Sequence, residues 1–404
     1  GINFTLYNRR NTSCPKMWQI MKLAACVLLL GFASVILAGR SYEPSFNETV
    51  VPVGKEPGPI AILDLNHDGH PDLVVANQKS ENLSVLLGDG YGHFQEPLGS
   101  PFPVGHLPND IAVADFNLDG NPDLVIPNHQ TPYVTVLLGD GKGGFRSAPH
   151  SPFATSSRPH PHGVVASDFN GDGKPDVVID SWGDNKVLLF LGDGSGNLVT
   201  PGQFFSVGKR PYQRLRSADF NKDGHPDLVT TNLDGNNVTI LLGNGKGGFR
   251  EAAGSPFPAG SAPWAVAIDD INRDGNLDLA IIPYAPDVRA PEQIGVTVLL
   301  GDGPGGFALG HGSPLPLNGC QGPNHVATGD INHDGFRDIV VSCAQSNSLA
   351  LFLGSKTGSF HVFTRQLKDT GWSGLAVADL NGDGKDDIVV GNSASGTITV
   401  LLSK

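Results

Sequence analysis

The sequence predicts an all-β fold built from seven copies of one unit, and three observations support this. The nine-residue pattern Asp-x-Asn-x-Asp-Gly-x-x-Asp occurs seven times, at intervals of 49 to 60 residues. Each interval contains four short strand-like runs bounded by Gly, Pro and Asn, and helical periodicity is absent after the first forty residues. A period of this length is typical of one propeller blade. We therefore predict a seven-bladed β-propeller of four-stranded antiparallel blades.

The second copy shows the strands of a unit in order. Its strand-like runs cover residues 111–116, 123–127 and 133–138, and a fourth begins at Phe145. A recurring Gly-Asp-Gly turn joins the third and fourth strands, first at residues 88–94. We interpret this turn as a hairpin rather than a metal site, so we predict no metal role for Asp89 or Asp140.

The two ends of the chain predict how the ring closes. The seventh copy stops after its third strand, and residues 46–53 resemble the fourth strands of the other units. Pairing of this segment with residues 397–402 would leave no free sheet edge. The predicted organisation is a leader at residues 1–38, a linker at 39–45 and one propeller at 46–404.

Each copy of the pattern also carries the oxygen donors of a calcium loop. In the first copy Asp64, Asn66, Asp68 and Asp72 stand at positions one, three, five and nine, and Gly69 permits the bend. Without a bidentate twelfth-position Glu, this donor set suits Ca²⁺ better than Mg²⁺, with an affinity of about 10⁻⁴–10⁻³ M. Asn-Gly and Asp-Gly also form ordinary turns, but a solvated turn does not require the same four side chains in all seven copies.

The predicted ligands, for up to seven Ca²⁺, occupy positions one, three, five, seven and nine, with position seven acting through its backbone carbonyl. They are Asp64, Asn66, Asp68, His70 and Asp72; Asp115, Asn117, Asp119, Asn121 and Asp123; Asp168, Asn170, Asp172, Lys174 and Asp176; Asp219, Asn221, Asp223, His225 and Asp227; Asp270, Asn272, Asp274, Asn276 and Asp278; Asp330, Asn332, Asp334, Phe336 and Asp338; Asp379, Asn381, Asp383, Lys385 and Asp387.

The negative charge of the chain is explained by these loops. The formal net charge is −13, and removal of a leader with four basic residues would take it to −17. Positions one, five and nine of the loops contain 21 Asp, and seven bound Ca²⁺ would bring the charge of the mature chain to −3. No basic stripe remains, so we expect no nucleic-acid partner.

The N-terminal region has the profile of an export signal. Lys22 precedes an apolar run at residues 23–38 that ends in small residues, and Met17 or Met21 would be its start. We predict cleavage after Ala38 and no membrane span in the mature chain. An uncleaved membrane anchor is the alternative, although the run is short for a span of about 20 residues.

Two cysteines remain after the leader, Cys320 and Cys343, both in the sixth unit. Export would permit a disulfide between them, because both fall near the same end of adjacent strands. We favour the disulfide over free thiols.

Strand direction places the variable loops on the face opposite the metal loops. There we expect the ligand-contacting residues, which are His162, Tyr212, Arg214, Trp264, His325 and Trp372. The alternative for Trp264 and Trp372 is that they only pack between blades. His160 and His162 offer two metal ligands without an obvious third, so we expect them in a solvated loop.

The unit at residues 168–178, Asp-Phe-Asn-Gly-Asp-Gly-Lys-Pro-Asp-Val-Val, followed by Leu-Leu-Phe-Leu-Gly-Asp-Gly at residues 188–194, resembles the FG-GAP or VCBS-type repeat. It is similar to the propeller repeats of integrin alpha subunits. The resemblance implies a calcium-stabilised extracellular binding scaffold, with calcium ligands at the Asp and Asn positions given above. Position eight departs from Pro at Leu277, Arg337 and Asp386, which we interpret as harmless.

These observations favour a secreted or surface-attached, monomeric and non-catalytic scaffold for adhesion to a protein or carbohydrate ligand. Two alternatives remain open: a lyase-like polysaccharide-processing enzyme and a structural subunit of an envelope assembly. No nucleophile elbow, zinc signature or phosphate loop appears in the sequence. An enzyme would need its catalytic groups in the longer insertion at residues 283–295, which contains Tyr284, Asp287, Arg289 and Glu292.

Overall fold

The computed structural model describes residues 43–155, 160–284, 294–371 and 374–404; of residues 213 and 214 only the backbone is described. Residues Pro44–Lys404 form one compact unit. The predicted leader, most of the linker, Trp372, the side chain of Arg214 and most of the blade-five insertion lie outside the described part.

Seven antiparallel sheets make up this unit, each with four strand positions, and the predicted seven-bladed propeller is confirmed. In blades one to six the strands run from the innermost to the outermost in chain order. In blade seven the last three strands of the chain take the three inner positions, and the outermost strand comes from the N-terminal end. The strands are Pro57–Leu63, Asp72–Asn77, Asn82–Gly88, Phe94–Gln95 and Phe102–Pro103 in blade one; Ala112–Ala114, Asp123–Pro127, Tyr133–Gly139, Phe145–Ser147 and Phe153–Ala154 in blade two; Val164–Ser167, Asp176–Ser181, Lys186–Phe190 and Gln203–Ser206 in blade three; Pro211–Ala218, Asp227–Asn232, Asn237–Gly243, Phe249–Glu251 and Phe257–Pro258 in blade four; Pro263–Asp269, Asp278–Pro283, Gly295–Gly301, Phe307–Leu309 and Leu315–Pro316 in blade five; Pro323–Gly329, Asp338–Cys343, Ser348–Leu353 and His361–Gln366 in blade six; and Leu375–Ala378, Asp387–Asn392, Thr397–Ser403 and Phe46–Pro52 in blade seven. Leu233–Gly235 is a 3-10 turn.

The fourth strand is split in blades one, two, four and five, which the sequence analysis did not predict. Two short segments pair with the same third strand, and a Ser-Pro dipeptide lies between them. The serine hydroxyl accepts the third-strand N–H that the break would leave unpaired; in blade one Ser100 Oγ accepts from Val85 at 3.0 Å. Ser151, Ser255 and Ser313 do the same in the other three blades. The backbone group therefore keeps a partner although the strand is interrupted.

The two ends of the chain meet as predicted. Phe46–Pro52 runs antiparallel to Thr397–Ser403, in a continuous register from Phe46 opposite Ser403 to Pro52 opposite Thr397. Both edges of Thr397–Ser403 are thereby paired, because its other side pairs with Asp387–Asn392. Closure leaves no unpaired edge at the junction of first and last strand.

Seven apolar clusters lie between the seven pairs of neighbouring blades. Between blades two and three, for example, Val125 and Val136 pack with Val164 and Val177. The cluster between blades seven and one joins Val389 and its neighbours to Leu73. The hydrophobic core is thus a ring of interfaces, each built from the alternate side chains of facing strands.

A disulfide joins Cys320, in the loop before the first strand of blade six, to Cys343, at the end of its second strand. Both cysteines are buried in the cluster between blades five and six. In the described part of the chain, no helix has the length and apolar character needed to cross a membrane.

Candidate calcium loops and the opposite face

The seven metal loops share one pattern of internal hydrogen bonds, which blade one illustrates. Asp64 accepts the backbone N–H groups of Asp68 (3.2 Å) and Gly69 (2.9 Å). Asn66 Oδ1 accepts the N–H of Asp68 at 3.0 Å, and Asp68 Oδ1 accepts that of His70 at 2.9 Å. Gly69 has a φ of 84°, which a side chain at this bend would disfavour. The backbone N–H groups therefore hold the polar side chains of the loop in place.

The carboxylate at position nine also accepts two backbone hydrogen bonds, which the sequence did not reveal. In blade two Asp123 Oδ2 accepts the N–H of Phe116 at 2.8 Å, and Oδ1 accepts the N–H of Gly139 at 2.7 Å. The same two bonds occur in every blade, with Ser403 replacing the glycine in blade seven. Each position-nine carboxylate thus connects the metal loop to a residue at the end of the third strand or one or two positions after it, and the carboxylate is fully or almost fully buried.

Burial changes the acidity of these carboxyl groups. It raises the pKa of Asp123 to about 6 and that of Asp338 to about 7, although backbone N–H groups partly oppose the shift. Asp334 and Asp330 in the same loop add electrostatic repulsion to Asp338. In contrast, the backbone N–H of His70 lowers the pKa of the exposed Asp68. A cation in the loop would relieve the repulsion between the carboxylates.

The donor set fits Ca²⁺. In blade one, three carboxylates and one amide oxygen are held within a nine-residue loop, and the oxygen that accepts each of these backbone bonds keeps a second lone pair for a cation. Oxygen donors in an irregular arrangement are the chemistry that Ca²⁺ accepts. The side chains at positions one, three, five and nine would hold the ion, which would supply charge neutralisation.

Replacing position nine and position five in the same loop should have different effects in calcium-free protein. Asp123→Ala leaves the N–H groups of Phe116 and Gly139 without their acceptor, so we expect a loss of about 2–4 kcal/mol in unfolding free energy. Asp119 is exposed, and Asp119→Ala should change stability little under the same conditions. Denaturant unfolding in excess chelator measures the unfolding free energy of both variants. An equal loss in the two would contradict a structural role for position nine.

The Gly-Asp-Gly hairpins lie on the same face as the metal loops, because Gly88 donates to Asp72. Within the first hairpin, Asp89 Oδ1 accepts the N–H groups of Tyr91 (2.8 Å) and His93 (3.2 Å). The side chain of His93 also bonds to Asp89 and lowers the pKa of its carboxyl group. The aspartate thus stabilises its own turn, as an Asx turn does.

Position eight of the metal loop has a role in blades six and seven. Arg337 forms ion pairs with Asp269 of blade five (3.0 Å) and with Asp386 of blade seven (3.8 Å). Asp386 also accepts the N–H of Asp330 in blade six at 2.7 Å. Arg337 and Asp386, which stand where other copies have Pro, therefore link three consecutive blades.

An arc of aromatic side chains lies on the opposite face, from blade two to blade five. The ring centroids of His162 and Tyr212 are 4.1 Å apart, those of Tyr212 and Trp264 are 4.7 Å apart, and Trp264 stacks on Tyr284 at 4.4 Å. Trp182 lies 6.3 Å from Tyr212. The structure thus brings together three of the predicted ligand-face residues.

Trp264 is a packing residue, which corrects its assignment as a ligand contact. It is 4% exposed, and its Nε1 donates to the backbone carbonyl of Asn324 in blade six at 3.1 Å. It occupies the interface of blades five and six because the first strand of each blade faces its neighbour. Tyr212 and His325 are half-buried and remain candidates for ligand contact.

His160 and His162 do not lie in a solvated loop, as the sequence analysis expected. His162 is fully buried, and His160 is half-buried beside Trp182 at 4.7 Å. His129, from the loop after the second strand of blade two, joins them, with its Nε2 3.1 Å from that of His160. Burial lowers the pKa of His129 to about 4, and repulsion from His160 and His106 contributes. His129 lies 31 residues before His160 in the sequence, so their contact could not be predicted from spacing.

An ion pair between blades two and four was also missed. Arg216 of blade four donates to Asp110 of blade two at 3.0 Å, across blade three, and Asp110 is 3% exposed. The sequence held a signal, because the residue three before the metal loop is Ala or Val in the other six copies.

Comparisons with known proteins agree with this architecture. The FG-GAP-like repeat family matches residues 64–126, 128–179, 168–230, 219–281 and 330–390, which together exceed half of the chain. Phosphatidylinositol-glycan-specific phospholipase D of Mus musculus is 30% identical over 261 residues, which cover 57% of this chain and 30% of that protein. Integrin alpha-7 of Homo sapiens is 30% identical over 148 residues, which cover 30% of this chain and 12% of the integrin. The chain therefore matches less than a third of the length of either relative.

Among solved structures, BBS1N in complex with ARL6DN has a TM-score of 0.59 at 11% identity, covering 90% of this chain and 98% of that one. At this identity the likeness concerns the fold alone. The repeat matches, the seven blades and the resemblance seen in the metal loops lead to one conclusion: this chain belongs to the FG-GAP-like repeat family.

Proposed function

We propose that the chain is a calcium-binding propeller that acts outside the cytoplasm as a non-catalytic scaffold for a protein or carbohydrate ligand. One observation carries the proposal: the seven loops on one face keep the same donors and the same bonds to position nine, whereas the connections on the other face differ between blades. Repetition on one face is expected of a structural element, and variation on the other is expected of a recognition surface.

Two features support a location outside the cytoplasm, either secreted or attached to the surface. The apolar run at residues 23–38 has the length and flanking residues of an export signal, with a membrane anchor as the alternative. The disulfide between Cys320 and Cys343 suits an oxidising compartment. Integrin alpha-7 shares the repeats but not the remaining length, so its name supports the scaffold without supplying a ligand.

The similarity to phosphatidylinositol-glycan-specific phospholipase D is assigned to the shared scaffold as well. The matched segment covers 30% of that protein and 57% of this chain, and because the repeats also cover more than half of this chain, the two overlap. We therefore propose common binding architecture rather than a common reaction.

A matched pair of tyrosines tests the ligand face. Tyr212 is half-buried on the face opposite the metal loops, which we call the variable face. Tyr91 is 76% exposed on a Gly-Asp-Gly hairpin, on the face of the metal loops, which we call the calcium face. A glycan and extracellular-matrix array, run with calcium and with chelator, would first identify a ligand. Tyr212→Ala combined with His325→Ala should then weaken binding about tenfold or more, because aromatic anchors dominate such surfaces. Tyr91→Ala should leave the affinity unchanged.

Calcium affinity serves as the folding control for these variants and should equal that of the unaltered chain. If binding survives the Tyr212 and His325 replacements but disappears with Tyr91→Ala, the ligand face is on the calcium side and the proposal fails. An array without any calcium-dependent ligand would count against the scaffold function itself.

A further inference from the structure

Three histidine side chains from two blades converge on the variable face. His129 follows the second strand of blade two, and His160 and His162 precede the first strand of blade three. The ring centroids are 4.1 Å apart for His129 and His160, and 4.5 Å apart for each of the other two pairs. The three imidazoles therefore form a nearly equilateral triangle.

The ring orientations favour a shared centre over simple stacking. The interplanar angles are 52°, 41° and 89°, so no two rings lie parallel. One nitrogen from each ring lies within 4.8 Å of the corresponding nitrogens of the other two. Three imidazole nitrogens gathered this closely are a donor set for a transition metal.

The distances match a tetrahedral zinc ion after a small adjustment. With Zn–N bonds of about 2.0–2.1 Å, two nitrogens on the same ion are about 3.3 Å apart. The Nε2 atoms of His129 and His160 are 3.1 Å apart and already meet this condition. The widest nitrogen pair, at no more than 4.8 Å, would have to close by at most about 1.5 Å, which side-chain rotation can supply.

The surroundings hold the histidines in position. The backbone N–H of His162 donates to the buried carboxylate of Asp180 at 2.6 Å. Trp182 lies against His160 at 4.7 Å, and Tyr212 lies against His162 at 4.1 Å. The backbone hydrogen bond fixes the chain at His162, and the aromatic neighbours keep the imidazoles grouped while their rings can still rotate toward a shared ion.

Access for an ion remains. His129 and His160 are only half-buried, whereas His162 is fully buried and forms the floor of the cluster. Three protein nitrogens leave one position of a tetrahedral ion for water or for an oxygen or nitrogen atom of a ligand. We propose that His129, His160 and His162 bind one Zn²⁺ on the face opposite the calcium loops, with this fourth position open.

Zinc titration of the full chain in saturating calcium tests the proposal, because calcium occupies the carboxylate loops during the measurement. Calorimetry should give one strong Zn²⁺ site per chain. His129→Gln removes one of the three nitrogen donors at a half-exposed position and should weaken zinc binding about 100-fold or more. His361→Gln changes an exposed histidine on the outer strand of blade six and should leave zinc affinity unchanged.

A second pair of measurements keeps the result independent of variant stability. Cobalt(II) added to the unaltered chain should give the intense visible absorption of a tetrahedral site, and zinc should displace it. Zinc should also raise the unfolding temperature of the unaltered chain and not that of His129→Gln, since the ion would link blades two and three. Absence of a strong zinc site, or equal affinity in His129→Gln and the unaltered chain, would overturn the proposal.

Discussion

Removal of calcium is expected to lower the unfolding temperature of the chain more than any single side-chain replacement would. Each loop holds three carboxylates and one amide in a shell stabilised by its own backbone, and the repulsion between the carboxylates opposes folding until a cation is bound. At a free calcium concentration of ten times Kd, each site adds about 1.4 kcal/mol to the unfolding free energy, so seven sites add about 10 kcal/mol.

Differential scanning calorimetry of calcium-loaded protein before and after chelation measures this effect. Readdition of Ca²⁺ should restore the transition and Mg²⁺ should not, because Mg²⁺ demands a regular octahedral shell. Asp68→Ala removes a ligand from one loop and should reduce the calcium dependence by about one site in seven. An unchanged unfolding temperature on chelation, in protein shown to contain calcium beforehand, would refute calcium stabilisation.

Deletion of the closing strand is expected to prevent the chain from forming a stable monomer. Phe46–Pro52 covers the edge of Thr397–Ser403, and Phe46 is 8% exposed in the cluster between blades six and seven. Arg365 of blade six lies over the Phe46 ring and pairs with Glu48 at 3.0 Å. Without this segment, a row of backbone N–H and C=O groups would be open to pairing with another chain.

Two shortened chains make a matched comparison. A chain beginning at residue 44 keeps the closing strand and should unfold cooperatively as a monomer, whereas a chain beginning at residue 54 should aggregate. A peptide of residues 46–53 added during refolding should rescue the shorter chain by strand addition. Size-exclusion chromatography with light scattering distinguishes the states. A monomeric chain from residue 54 with the same unfolding temperature would show that closure does not depend on this pairing.

The repeat architecture could be predicted from sequence because its determinants are local and recur. The Asp-Gly turn of each metal loop, the apolar runs beside it and the fixed interval between copies lie within a single unit. Their repetition made the blade number and the pairing of the two ends predictable before any contact was known. Arg216 could be recognised as an exception, because the other six copies have Ala or Val at its position, although its partner Asp110 could not be inferred.

Contacts between blades could not be predicted from the repeat in this way. Trp264 was expected to meet a ligand, yet it packs against blade six, because side chains at the inner edge of a wedge-shaped blade face the neighbouring blade. The ion pairs of Arg337 with Asp269 and Asp386 join residues from three blades. Such pairings depend on the angle between blades, which a repeat period does not encode.

The sequence by itself determined the number of blades, the site of ring closure and the positions of the oxygen donors in each loop, since each depends on residues close together in the chain or on the count of copies. Tertiary structure alone decided that position nine is a buried link between loop and hairpin, and that His129 meets His160 and His162. The physical reason is that burial and convergence arise from packing between strands and blades, where residues distant in sequence share one space.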